Sequence, residues 1–136
     1  MCSIGVVKNQ EEISMNIQHF WEVTLQQNAD AMKEFFTSNA WVKWHNTNEL
    51  FTVEEFIQAN CEYPNQWDGD IERMEKIDDL IITVVHVFST NQPLSFHVTS
   101  FIKLKDDKIT SIDEYWGDDG KAPQWRLDKK IGSPIR

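Results

Sequence analysis

The chain has 136 residues, 40% of them hydrophobic and 26% charged, which is room for one domain with its own core, too little for two, and not the composition of a disordered segment. Thirteen Lys and Arg stand against 22 Asp and Glu, a formal net charge of −9, so a phosphate backbone or an anionic membrane is repelled rather than collected, and neither nucleic acid nor membrane is the expected partner. No stretch approaches the ~20 apolar residues of a membrane span and the first residues lack a basic region with an apolar run behind it, so a cytoplasmic location is expected.

From Glu11 to about Gln27, Ile13, Ile17, Phe20, Trp21, Thr24 and Leu25 fall at helical spacing, which predicts an amphipathic helix with Trp21 inward. A second helix is predicted over Ala29 to Phe36, with Asn28 as its cap and Thr37-Ser38-Asn39 as its break. Ala40-Trp-Val-Lys-Trp-His-Asn46 reads as a strand, because aromatic and β-branched residues suit the pleated surface, and it sets Val42, Trp44 and Asn46 opposite Trp41, Lys43 and His45. Thr52-Val-Glu-Glu55 is a capping box, starting a third helix near Val53 that Tyr63-Pro64-Asn65 stops.

Three strands follow at Ile71 to Lys76, Leu80 to Phe88 and Phe96 to Leu104, the first a charged edge. A turn at Asp106-Asp107 leads to a last strand, Ile109 to Asp119, on which Ile112, Glu114 and Trp116 alternate against Ile109, Ser111, Asp113 and Tyr115. Past Gly117 the composition is that of turns, and Ile131 to Arg136 reads as a loose tail. Helices first and strands after predict an α+β fold: three N-terminal helices packed on a curved, mainly antiparallel sheet, a single domain spanning residues 1–136. Trp21, Phe35, Phe56, Ile82, Ile102 and Leu104 are the expected core. Val85, Val87 and Phe101 are expected on the other face, as an apolar patch that pairs two copies in a homodimer.

That element order, the segment Ala40 to Asn46 after two helices and the ending Lys108-Ile-Thr-Ser-Ile-Asp-Glu-Tyr-Trp116 resemble the nuclear-transport-factor-2-like superfamily in its SnoaL-like branch. The resemblance implies a cone with an internal pocket, walled by the first strand, the third helix and the last strands. It places Glu114 where epoxide hydrolases of the superfamily carry a water-activating aspartate, and Asn46 where they carry an asparagine that holds the water. Their arginine and second aspartate have no counterpart in Leu80 to Phe88, where His86 is the one ionisable side chain. The ketosteroid isomerase mechanism does not transfer either, because Trp44 to Asn46 contains no carboxylate.

Two functional readings therefore stand. In one, His86 and Glu114 converge in the pocket as a cofactor-free acid–base pair acting on an apolar or aromatic small molecule, with Trp21, Trp44, Asn46 and Trp116 as ligand-binding walls. In the other, the domain is a non-catalytic ligand-binding or homodimeric assembly module, with His86 a hydrogen-bonded core histidine and Glu114 paired at the rim. Tryptophans 21, 44, 67 and 116 form either an aromatic box for a flat or cationic ligand or simply a bulky core. His19, His45 and His97 are expected at the surface. The histidines are scattered and Cys2 and Cys61 belong to no ligand pattern, so reduced thiols, no metal and no cofactor are expected.

Overall fold

The Asn16 side chain accepts from the His19 backbone N–H at 3.0 Å, satisfying one of the free donors at a helix start, and α1 runs Ile17–Leu25 from there. The computed structural model describes residues 15–136, so Cys2 and the expected helical residues 11–14 lie outside it, while the start moves to Ile17. Asn28 caps α2, Ala29–Lys33, as expected. This helix ends three residues early because Phe36 opens β1, Phe36–Trp44. Phe36 pairs with Ile109 and lies edge-on to Phe20 and Phe56. Pairing and aromatic burial outweigh local propensity there, and Thr37 to Asn39 belong to the strand rather than to a break.

A turn containing Asn48 at φ 58 leads into β2, Glu49–Thr52, a short strand absent from the sequence-based expectation. The capping box then starts α3, Val53–Cys61, with both reciprocal hydrogen bonds present. The remaining strands form a meander of β3 Trp67–Ile77, β4 Leu80–Ser89, β5 Ser95–Lys105 and β6 Lys108–Asp118. Asp106 and Asp107 both take positive φ, 51° and 64°, the two-residue turn whose twist matches the flanking strands. A short α4, Gln124–Asp128, stands where turn composition was expected.

The six strands make one sheet in the order β2-β1-β6-β5-β4-β3. Only β1 with β6 is parallel; the other pairings are antiparallel. The sheet is therefore mixed, and β6 sits between β1 and β5. Helix α1 packs on β3 and α3 on β1 and β2, all on one face. That inner face carries Val42, Ile81, Thr83, Val85, Val87, Val98, Ile102 and Ile112, all buried.

Two sequence-based assignments of face are corrected. Along β4 from Leu80 to Phe88 the odd positions are buried and the even ones half-exposed, so Val85 and Val87 are core residues, whereas Ile82 lies on the outer face. Phe35 is partly buried at the edge of the core. On β6, Ile109 faces inward together with Ile112. Leu104 pairs with Ile109 but Lys103 pairs with Ser111, so Thr110 is an extra residue that shifts the alternation by one, and its hydroxyl donates to the Lys103 carbonyl at 3.2 Å.

Gly69 on β3 sits where the strand presses against its neighbour. A Cβ there would lie 2.6 Å from the His86 carbonyl oxygen and 3.0 Å from Leu25 Cδ1. Gly69→Ala should therefore cost about 1–3 kcal/mol through forced shifts in a packed region, read as a lower urea midpoint at unchanged slope. A midpoint equal to the parent's would show that β3 gives way freely at this point.

Candidate functional site

Strand alternation on the shifted β6 sends Glu114 and Trp116 to the helix-covered face, and Trp44 reaches the same place from β1, where it pairs with Glu114. Ser100 pairs with Glu114 from β5. The carboxylate is 2% exposed and accepts three hydrogen bonds. Oε1 takes the indole N–H of Trp44 at 2.9 Å and of Trp116 at 3.3 Å, and Oε2 takes the Ser100 hydroxyl at 2.8 Å. Burial pushes the Glu114 carboxyl above its ordinary range, against the opposing pull of the Ser100, Trp116 and Trp44 hydrogen bonds.

Above this floor lies a cavity of about 590 Å³ between the sheet, α1 and α3, within the range of small-molecule sites. Its rings follow one another around the wall. Trp44 lies 6.3 Å from Trp116 at 69°, Trp116 6.1 Å from Phe96 at 81°, Phe96 5.9 Å from Trp67 at 44°, and Trp67 5.6 Å from Tyr63 at 80°. Successive tilted or edge-on rings are the favoured aromatic geometry, and all five of these residues line the cavity. Tyr63 is 47% exposed at the mouth, where Glu49 and Asp118 add the other carboxylates of the lining. Asn60 ties α3 to α1 by donating to the Thr24 carbonyl at 2.8 Å, and Gln27 donates to the Asn60 and Tyr63 carbonyls.

Of the residues expected to bind ligand, Trp21, Trp44, Asn46 and Trp116 all border this cavity. Trp21 is buried, its indole N–H donating to the Thr83 hydroxyl at 3.3 Å, so it backs the wall rather than presenting a face. Asn46 holds the end of β1 against β6 by accepting from the Trp116 backbone N–H at 2.8 Å. Ser100, Phe96 and Tyr63 were not foreseen. Ser100 was within reach of sequence reasoning, since Phe101, Lys103 and Lys105 already mark the opposite side of β5.

His86 does not belong to this site. As an even position of β4 it lies on the outer face, where Nε2 hydrogen-bonds the Ser95 hydroxyl at 2.8 Å and the ring stacks on His97 at 4.9 Å. The sheet thus separates His86 from the inward Glu114, and the expected acid–base pair is corrected. A strand apolar on both faces gives alternation nothing to distinguish them by. His97 is held above its usual range by the hydrogen bond with Asp119 at 2.5 Å. Burial alone would raise Asp119, but hydrogen bonds from Ser95 and His97 keep it low. His45 is outward as expected, at 2.7 Å from Asp113 and stacked on Tyr115. Among the described residues no three His, Cys, Asp or Glu side chains converge on a metal position, and no helix is long and apolar enough to cross a membrane.

A curved mixed sheet with helices on one face is a pocketed α+β architecture. More particularly, the fold is similar to those of solved structures described as NTF2-like, ketosteroid isomerase-like and SnoaL-like. A candidate ketosteroid isomerase from Kribbella flavida superposes with a TM-score of 0.73 at 12% identity, over 88% of this chain and 87% of that one. A protein of Catenulispora acidiphila with a ketosteroid isomerase-like fold, solved in complex with trimethylamine, gives 0.63 at 12% identity over 76% and 86%. A candidate SnoaL-like polyketide cyclase from Shewanella putrefaciens gives 0.63 at 11% over 74% and 85%. At such identities the likeness establishes the fold alone. No protein-family model matches the sequence, and no curated protein does.

Because the folded carboxyl of Glu114 titrates above its unfolded value, the native state keeps a proton through a window in which the unfolded chain has lost it. Stability therefore falls as pH rises from about 4.3, the unfolded value, through the raised one, by at most about 1.4 kcal/mol per pH unit. Denaturant midpoints of the parent and of Glu114→Gln, measured from pH 4 to 8, should differ by an amount that changes across that window. A difference independent of pH would mean that Glu114 titrates normally.

Proposed function

We propose that the protein binds a small molecule with an apolar or aromatic body in the cavity between α1, α3 and the sheet, without a cofactor. The observation that carries this reading is a run of aromatic rings around about 590 Å³, closed below by one buried carboxylate. Large aromatic faces supply contact area, and a single fixed polar group supplies orientation. The neighbours in fold, a candidate isomerase, a candidate cyclase and a protein holding trimethylamine, support a pocket used for small molecules.

A second reading rests on Glu114 itself. A carboxyl raised by burial is suited to give or take a proton, and Glu114 is the buried carboxyl of the cavity lining. At 2% exposure it would have to be uncovered to act on a substrate, so this reading requires Trp44, Trp116 or Ser100 to move aside. On the outer face, Ile82, Val84, Phe88 and Phe101 are half-exposed and Tyr115 is 46% exposed, which supports a homodimer through that face in place of the patch expected around Val85 and Val87.

A screen of small aromatic compounds by thermal shift tests the binding reading, since a ligand of the native state raises apparent stability. Binding compounds should also quench tryptophan fluorescence, and Trp116→Ala should weaken them at least about tenfold, a loss of 1.4 kcal/mol. Uniform failure to shift or quench would reject the pocket. If Glu114 is the acid–base group, Glu114→Gln should lower turnover of any substrate found by about 10²–10⁴ while leaving its binding in place. Light scattering should return twice the monomer mass, and Phe101→Glu should halve it; a parent that scatters as a monomer at micromolar concentration would reject the dimer.

A further inference from the structure

The hydrogen bonds around Glu114 say which charge state the site is made for. Trp44 and Trp116 offer indole N–H groups, which donate and cannot accept, and the Ser100 hydroxyl donates as well. A protonated Glu114 would need an acceptor for its own proton, and only Ser100 could become one, by giving up the bond it makes. The shell therefore favours a carboxylate. A buried carboxylate without a countercharge is costly, yet among the described residues the cavity is lined by no lysine, arginine or histidine. Its charged members are Glu49, Glu114 and Asp118.

The walls have the complementary property. Aromatic faces carry negative quadrupolar potential and attract cations within about 6 Å of the ring centre. An indole that donates its N–H to an anion gains π-electron density, so Trp44 and Trp116 are better cation hosts for being bound to Glu114. The cation–π contacts among the described residues, Lys43 over Trp41 and Arg126 over Trp125, lie outside the cavity.

We propose that the ligand of this cavity is an organic cation, a protonated or quaternary amine on an apolar body, held by the faces of Trp44, Trp67, Trp116 and Phe96 over the carboxylate of Glu114. The proposal rests on the small-molecule pocket reading and narrows its ligand class. An anion meets three carboxylates and no base; a neutral ligand leaves the floor charge unbalanced; a monocation meets both. Contact with the carboxylate is not required, since a charge a few ångströms away through low-dielectric rings is felt far more strongly than in water. Burial, which raises the Glu114 carboxyl, is opposed by such a cation, so uptake and deprotonation support each other.

The test uses the full chain and probes that share a body and differ in charge: benzylammonium, benzyl alcohol and benzoate, with choline and its carbon isostere 3,3-dimethylbutan-1-ol, by calorimetry at pH 7.5. Each cation should bind at least about tenfold more tightly than its neutral partner, with benzoate the weakest of all. In Glu114→Gln that preference should fall to within about threefold, because the floor charge is gone while the rings remain. Trp67→Leu, remote from the carboxylate, keeps the test open if the glutamine variant does not fold. It should weaken choline by at least about fivefold and its isostere less. Equal binding of cation and isostere by the parent overturns the cation assignment and leaves the pocket reading in place. Failure of all five probes to bind rejects both, and a preference undiminished in Glu114→Gln overturns the role given to the carboxylate.

Discussion

The carboxylate of Glu114 takes hydrogen bonds from side chains on three adjacent strands, Trp44 on β1, Ser100 on β5 and Trp116 on β6, and it reaches them only because β6 carries an extra residue at Thr110. Side chains alternate with period two, so one inserted residue exchanges the faces of everything beyond it. With Ile109 in the core and no bulge, Ile112, Glu114 and Trp116 would point outward and Asp113 and Tyr115 would point beneath the helices. The bulge thus places both the charge and the indole that binds it inside. A bulge next to a functional residue re-aims a side chain without altering the rest of the ladder, and from Ser111 to Asp118 the pairing with β5 is regular.

The same alternation divides the ionisable groups of the sheet between its two sides. His45, His86 and His97 lie outside, each hydrogen-bonded to a neighbouring side chain: Asp113, Ser95 and Asp119 respectively. They are partners in a solvated network in which Glu72 also reaches His97, at 3.2 Å. Within the sheet's inner face the polar side chains are few, and each has a specific neighbour. Thr83 takes the indole N–H of Trp21, Ser100 serves Glu114, Glu49 and Asp118 stand at the cavity mouth, and the buried remainder is mainly apolar or aromatic. Among buried apolar side chains such hydrogen bonds are electrostatically stronger than in water.

The order of elements was legible because its signals are local. The Asn28 cap, the capping box at Thr52 and the paired aspartates at 106 and 107 act within a few residues, and the structure keeps all of them. Errors arose where the deciding contact was distant. Phe36 sits at the end of a helical pattern, but Ile109, more than seventy residues away, pairs with it and draws it into β1. On β4, valines and isoleucines fill both faces, so nothing in Leu80 to Phe88 says which is buried except Thr83, which is inward because Trp21 needs an acceptor. Reading that polar residue as a core acceptor would have turned His86 outward. Glu114 and Trp116 were assigned to the correct side although Thr110 was not recognised as a bulge, because their phase was counted from Ile112. Counting from Ile109 would have reversed it.

Placing a carboxylate under tryptophans has a thermodynamic consequence that packing alone does not explain. Three hydrogen bonds offset part of the cost of burying Glu114, yet its carboxyl remains raised, so the charged form is less favourable here than in water. An apolar residue of similar volume would remove that cost, although it would leave two indole N–H groups and a hydroxyl without partners. The four side chains are therefore interdependent, and replacing any one of them strands another. This interdependence also limits motion. Trp44 cannot turn without releasing Oε1, and Trp44 lies edge-on to Phe51 at 4.8 Å and to Phe56 at 6.2 Å, so the floor is braced from β2 and α3 as well. A charge fixed in this way does not have to reorganise when a ligand arrives, and a dipole or charge held in place before binding discriminates between ligands more strongly than one that must first be ordered.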